Sequence, residues 1–323
     1  MYALPYKTKQ FFFVFIKLSI VVGACYFIYE KLTNNDALSF SNFTQILIKN
    51  NVFSSKNIIF LLILSFFNWF LEIAKWKKLV SNVKKITLKG ALEQSLGALT
   101  ASLFTPNRIG EYGAKAVYYT TKFRKRIMLV NLISNVLQMS ITTILGIIGF
   151  GIYVTKYNLE IDYFKIARFF VFVVIAIILL GFGITKSTFT IKGFSIDKLK
   201  TFIIKYPKGK LLAGFILSFF RYIIFSFQFY VLLYIFKINL GYLDAMVIIT
   251  SMYLLASIVP SIFIFDVVIK GSIAVYLFSL AGVNELIILS IITIMWLLNV
   301  VIPSIFGSYY VLNFNFPKSD DDL

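Results

Sequence analysis

Six charged residues stand in segments otherwise built for an apolar environment. Arg108, Glu111 and Lys115 lie in ASLFTPNRIGEYGAK at 101–115, and Asp266 and Lys270 lie in ASIVPSIFIFDVVIK at 256–270. Arg221 sits deep in the run LLAGFILSFFRYIIFSFQF at 211–229. Glu111 and Lys115 are four residues apart, as are Asp266 and Lys270, so each pair can meet across one helical turn. A guanidinium is shaped for two-point contact with a carboxylate or a phosphate. Arginine at the centre of an apolar span costs a few kcal/mol and must find a partner. The candidates are Glu111, Asp266 or a phosphate group. The chemistry on offer is anion recognition with carboxylates alongside, and the plainer alternative is that these charges only neutralise one another.

Two elements must position these residues, and they share a pattern. Each begins with Ala-Ser and an aliphatic residue, and the Ala-Ser pair, the acid and the lysine recur at an offset of 155 residues. Pro106 and Pro260 stand one place out of register. Pro106 and Gly110 break the first stretch, 91–120, and Pro260 breaks the second, 244–281. The first piece, 91–104, has 14 residues, about 21 Å of helix, too short to cross a hydrocarbon core. Both stretches therefore read as re-entrant hairpins. Broken backbone at membrane depth is tolerated where protein or a water-filled cavity covers it.

The rest of the chain reads as membrane. Of 323 residues, 59% are hydrophobic and 14% charged. Six full spans are expected, near 11–29, 58–80, 127–154, 166–184, 211–236 and 286–311. The fold class is an all-α polytopic membrane protein, one domain over 1–323, with 318–323 an acidic tail. The net charge of +18 does not point to nucleic acid, because lysine and arginine cluster in short loops between apolar runs. Lys75 to Lys89, Lys122 to Arg126 and Lys186 to Lys210 fall on one side if 91–120 enters and leaves by the same face. That side is expected to be the cytoplasm of a bacterial inner membrane, with both termini inside. Three spans then separate the hairpins, so they enter from opposite faces. That is an inverted repeat with a site near the midplane; chance similarity of two apolar segments is the alternative.

Other features are read as structural. Asn131, Asn135, Gln138 and Thr142 form a polar stripe expected to glue helices together. Glu72 and Lys75 are expected to be an interfacial pair, and Tyr118, Tyr119 and Tyr153 to sit in aromatic belts. Residues 22–25 loosely resemble a lipoprotein cleavage site, but the apolar run continues to Tyr29, so a retained span is expected. One cysteine, Cys25, allows no internal disulfide, and there is no histidine. GITKST at 183–188 has Thr185 where a phosphate loop needs glycine. No metal site, no cofactor and no activated nucleophile is expected, hence no enzyme.

The first hairpin, with Pro106, Arg108, Gly110-Glu111 and Lys115 after an Ala-Ser-Leu helix end, resembles the lysylphosphatidylglycerol synthase transmembrane-region family. These are also called flippase-like domain proteins, and include the membrane halves of multiple peptide resistance factors. The resemblance covers about 90 to 311 and rests on the Pro-x-x-x-Gly-Glu core. The family's second motif is a proline, a glycine-rich stretch and an acid; here Pro260 to Asp266 contains no glycine. Synthase members carry a soluble aminoacyl-transferase domain, and this sequence ends at 323 without one. The resemblance implies the flipping half: a translocase for a lipid with an anionic or zwitterionic headgroup. Arg108, Lys115, Lys270 and Arg221 would engage its phosphate, while Glu111 and Asp266 would engage an amine or position the cations. The alternative is a non-transporting subunit that docks a lipid-modifying enzyme or glycosyltransferase through its basic loops.

Overall fold

The computed structural model describes residues 54–103, 105, 108–159, 201–259 and 263–317, with Gln45, Ile48 and Val52, and leaves the side chains of 263–267 undescribed. The expected spans at 11–29 and 166–184, Pro106, Pro260 and the acidic tail lie outside these residues. The described elements are all helical: α1 (Ser55–Val80), α2 (Leu88–Ser102), α3 (Gly110–Ala116), α4 (Thr121–Lys156), α5 (Lys208–Ile235), α6 (Tyr242–Ile258), α7 (Phe263–Ser279), α8 (Glu285–Trp296) and α9 (Ile302–Leu312). A π turn, Leu297–Val301, joins α8 to α9 without a break. Among the described residues, four helices are long and apolar enough to cross a membrane: α1, α4, α5 and the continuous 285–312. They match four of the six expected spans, and α6 and α7 are shorter apolar helices.

Local sequence explains the ends. Ser54 caps α1 by accepting from the Asn57 amide, Thr87 caps α2 through Gly90, and Asn284 caps α8 through Leu286. Between α2 and α3, Pro106 follows Thr105, and a residue before proline is pushed out of the α region. Thr105 Oγ1 donates to the Ser102 carbonyl (2.8 Å) and accepts from the Gly110 amide (2.9 Å), which ties the two short helices together. Gly110 is required there, since a Cβ would stand 2.8 Å from Thr105 Cγ2.

The centre of the bundle is the antiparallel pair α1 and α5. Leu79 lies against Gly214, Glu72 pairs with Arg221, and Gln228 donates to Ser65 Oγ. On each helix these positions recur every seven residues, two turns, so they share one face. The outer layers cross on small residues. α9 packs on α2, where a Cβ at Gly307 would fall on the Leu96 carbonyl and Thr100 Oγ1. α6 packs on α4, where a Cβ at Gly149 would fall on Thr250 Oγ1. Close backbone approach at glycine is how helices associate when lipid supplies no hydrophobic drive.

Two tyrosines depart from expectation. Tyr153 and Tyr119 are buried rather than set in interfacial belts. Tyr153 donates to the Leu277 carbonyl (2.8 Å), one of the last four of α7, which have no partner within their helix. Tyr119 donates to Gln94 Oε1 (2.9 Å), which also accepts from Trp76 Nε1 (2.8 Å), fixing the corner into α4. Burial pushes the Tyr119 hydroxyl up to about 12, so it stays a donor.

Candidate functional site

Arg108 has a left-handed backbone (φ 57°), uncommon for a residue with a long side chain. This conformation at the mouth of α3 returns the guanidinium to Glu111, with Arg108 Nη2 3.1 Å from Glu111 Oε2. Lys115, one turn further on, puts its Nζ 2.6 Å from Glu111 Oε1. The lysine is held in turn: Nζ donates to Asn131 Oδ1 (2.9 Å) and lies 4.2 Å from the centre of the Trp76 ring. Both oxygens of Glu111 are thus occupied by cations.

A second group repeats this arrangement across the α1–α5 pair. Glu72 Oε2 lies 2.7 Å from Lys75 Nζ and 2.8 Å from Arg221 Nη1. Arg221 also donates from Nε to Asn68 Oδ1 (3.1 Å) and from Nη1 to Gln138 Oε1 (3.2 Å). Asn68 donates to Asn299 Oδ1 (2.8 Å), and Asn299 donates to Gln228 Oε1 (2.9 Å). An amide chain therefore runs from the arginine to the π turn. Each carboxylate bridges a buried lysine and a more open arginine: Lys75 and Lys115 are 1% exposed, Arg221 20% and Arg108 31%.

Both groups face one cavity of about 630 Å³. Its lining includes Glu72, Lys75, Arg108, Glu111 and Arg221, together with Tyr222, Tyr253 and Lys270. Of the residues singled out in the sequence, Arg108, Glu111, Arg221 and Lys270 come together here, and Lys115 stands behind Glu111. Gly110 opens α3 beneath them. Asp266 lies on α7, one turn before Lys270, and its side chain is outside the description.

Three expectations are corrected. Arg221 pairs with Glu72, not with Glu111. Glu72 and Lys75 are not an interfacial pair: both are buried, and Glu72 is the acid at the centre of the bundle. The polar stripe on α4 does more than glue helices, since Asn131 holds Lys115 and Gln138 holds Arg221. The missed signal was the spacing Asn68, Glu72, Lys75, which puts an amide, an acid and a base on one face of an apolar helix. Among the described residues, no group of three or more His, Cys, Asp or Glu that could hold a metal comes together.

Residues 14–307 match the family described as the lysylphosphatidylglycerol synthase TM region, which carries the resemblance well upstream of residue 90. No curated protein and no solved structure matches the chain. With four spanning helices and a family match over nearly its whole length, the chain is a multi-pass membrane protein that belongs to the lysylphosphatidylglycerol synthase TM-region family.

Proposed function

We propose that the protein is a lipid translocase in which the headgroup enters the cavity between the hairpins while the acyl chains stay in the bilayer. The observation that carries this reading is the cavity itself: about 630 Å³, flanked by two carboxylates that each hold two cations, within a bundle of apolar spans. A charged group inside a membrane bundle is retained where a polar solute or ion must pass. Arg108 and Arg221 engage the phosphate, with Lys270 also in the cavity lining; Lys75 and Lys115 brace the acids. No chemical step is assigned to any of these residues.

The packing supports an inverted repeat. If α1, α2, α3 and α4 are exchanged for α5, α6, α7 and the continuous 285–312, the packed pairs map onto one another. α1 on α5 maps to itself, α2 on α9 becomes α6 on α4, and α3 on α4 becomes α7 on α8. The antiparallel run of α1 and α5 suits a two-fold axis in the membrane plane. In this reading the basic end, with exposed Lys77, Lys78, Lys84, Lys85 and Lys208, is cytoplasmic. The two hairpins rearrange in turn to open the cavity to each leaflet.

Leaflet-resolved lipid labelling in proteoliposomes tests the reading. Transbilayer movement should rise with protein and fall to the lipid-only rate in Arg221→Ala. Movement that is the same with and without protein, across phospholipids and polyprenyl lipids, removes it. The second reading, a subunit that docks a lipid-modifying enzyme, is favoured by the exposed lysines of the basic end, where Lys210 lies close enough to Lys78 and Lys85 to feel their charge. Under that reading Lys84→Ala with Lys85→Ala abolishes function and Arg221→Ala does not.

A further inference from the structure

We infer that the hydrocarbon tail of the lipid leaves the cavity sideways, through a portal between the middle of α4 and the C-terminal end of α6, with Met139, Ile258 and Val259 as its lips. The inference rests on the translocase reading and adds the route by which the substrate reaches the site.

The cavity has a mouth that belongs to two surfaces. On α4 the lining residues are Asn135, Gln138, Met139 and Thr142. Val136, Ile144, Ile147, Ile148 and Ile152 are exposed apolar residues of that helix, and Met139, 46% exposed, is the one of this set that also lines the cavity. On α6 the lining runs from Ala256 through Ser257 to Ile258 and Val259, which are 62% and 41% exposed. The two helices cross antiparallel, with Gly146 against Leu254 and Gly149 against Thr250. One turn beyond Gly146 and Leu254, Thr142 comes level with Ile258, the last residue of α6. The mouth therefore starts where the packed crossing stops.

Depth decides what lies outside. α4 has 36 residues, about 54 Å of helix, and Met139 stands at its middle, 18 residues after Thr121 and 17 before Lys156. Wherever a hydrocarbon core of about 30 Å falls along such a helix, the midpoint lies inside the core. The mouth thus opens onto acyl chains and not onto water. Its chemistry agrees. Thr142 Oγ1 donates to the Gln138 carbonyl (3.2 Å) and Ser257 Oγ to the Leu254 carbonyl (2.7 Å), so both hydroxyl donors at the mouth are spent within their own helices. Gln138, next to Met139 in the chain, accepts from Arg221 Nη1 (3.2 Å), so the charged part of the cavity begins one residue from the apolar lip. A lipid is the solute with that order of chemistries: a polar head beside the arginine and a tail across the lip.

The test is photolabelling of the full-length protein in proteoliposomes. One probe is phosphatidylglycerol carrying a diazirine midway along one acyl chain; the other is a polyprenyl phosphate carrying the same group. Labelled residues are quantified by mass spectrometry. Labelling at Met139 and Ile258 should fall at least about fivefold in Arg221→Ala, because a lost charge-assisted hydrogen bond lowers occupancy about tenfold while bulk lipid still supplies some label. Labelling at Ile148, exposed on α4 and outside the cavity lining, should not change. Arg108→Ala gives the same readout if the first variant does not fold. Either probe behaving in this way supports the portal, and the one that does names the tail. Met139→Trp and Ile258→Trp should slow transbilayer movement of that lipid at least about tenfold by overfilling the mouth, whereas Ile148→Trp keeps the parental rate. All three replaced side chains are exposed, so the core is left as it is. Labelling at Met139 and Ile258 that is the same in the parent and the arginine variants, with both probes, overturns the inference. Transbilayer movement that both tryptophan variants leave intact also overturns it, and keeps the translocase reading. The expected labelling with no movement in the parent removes the translocase reading and leaves the portal as a lipid-binding groove.

Discussion

Glu72→Gln is the most revealing single change in this protein. The substitution keeps size and shape and removes one charge, stranding two cations to different degrees. Arg221 is 20% exposed and keeps Asn68 and Gln138 as hydrogen-bond partners, so its loss is less than about 1 kcal/mol. Lys75 is 1% exposed and is held by Glu72 at 2.7 Å. Removing one partner of a buried pair costs about 3–5 kcal/mol, because the other charge is left uncompensated. At about 2 °C per kcal/mol for a chain of this size, the melting temperature should fall by about 6–10 °C. Thermal unfolding of the detergent-purified protein measures this. Lys75→Met on the Glu72→Gln background removes the stranded cation and should restore several degrees, so the two changes are strongly non-additive. A Glu72→Gln protein melting within about 2 °C of the parent, or a double variant whose losses simply add, would refute the claim that Glu72 is the hub of the central ion group.

Two further outcomes are expected. Gly307→Ala should cost about 1–3 kcal/mol, because its Cβ meets the Leu96 carbonyl and Thr100 Oγ1, whereas Gly151→Ala, with open space, should gain about 0.5–1 kcal/mol in the same melting assay; equal effects would contradict the crossing. Tyr153→Phe should cost about 1–3 kcal/mol by orphaning the Leu277 carbonyl, and hydrogen exchange at the C-terminal end of α7 should rise; unchanged exchange there would mean the hydroxyl does not hold that helix end.

Hydropathy made four of the spans legible because length and apolar content decide whether a helix can cross a membrane, and both are local. The helix breaks after Ser102 and Ile258 were legible for the same kind of reason: proline and glycine act on their own backbone, and Pro106, Gly110 and Pro260 stand at those places in the sequence. The pairing of Glu111 with Lys115 followed from helical spacing. What could not be read was partnership across the bundle. Arg221 finds Glu72 because α1 and α5 run antiparallel in one register, and that register depends on Gly214 admitting Leu79. Glu72 itself was misplaced because depth in a membrane is measured from the bundle axis as well as from the end of a span. The amide partners of Arg221 come from α1 and α4, far apart in sequence, and no local pattern announces them.

The π turn at Leu297–Val301 has a consequence for angle rather than contact. The inner face of α8 carries Ile288, Ile291 and Met295, and uninterrupted α register would next turn Ile305 or Phe306 and then Tyr309 inward. Those three are 58%, 63% and 65% exposed, while Ser304, Gly307 and Val311 are buried instead. One residue inserted into an α-helix rotates everything beyond it by about 100°. The span is therefore a single rod with two phases: the half before Asn299 is keyed to α7, and the half after it is keyed to α2. Asn299, tied to Asn68 and Gln228, pins the twist at the level where the phases meet. If that twist relaxed to plain α-helix, Gly307 would swing away from α2 while α8 kept its place, so one end of the bundle could change its packing without the other.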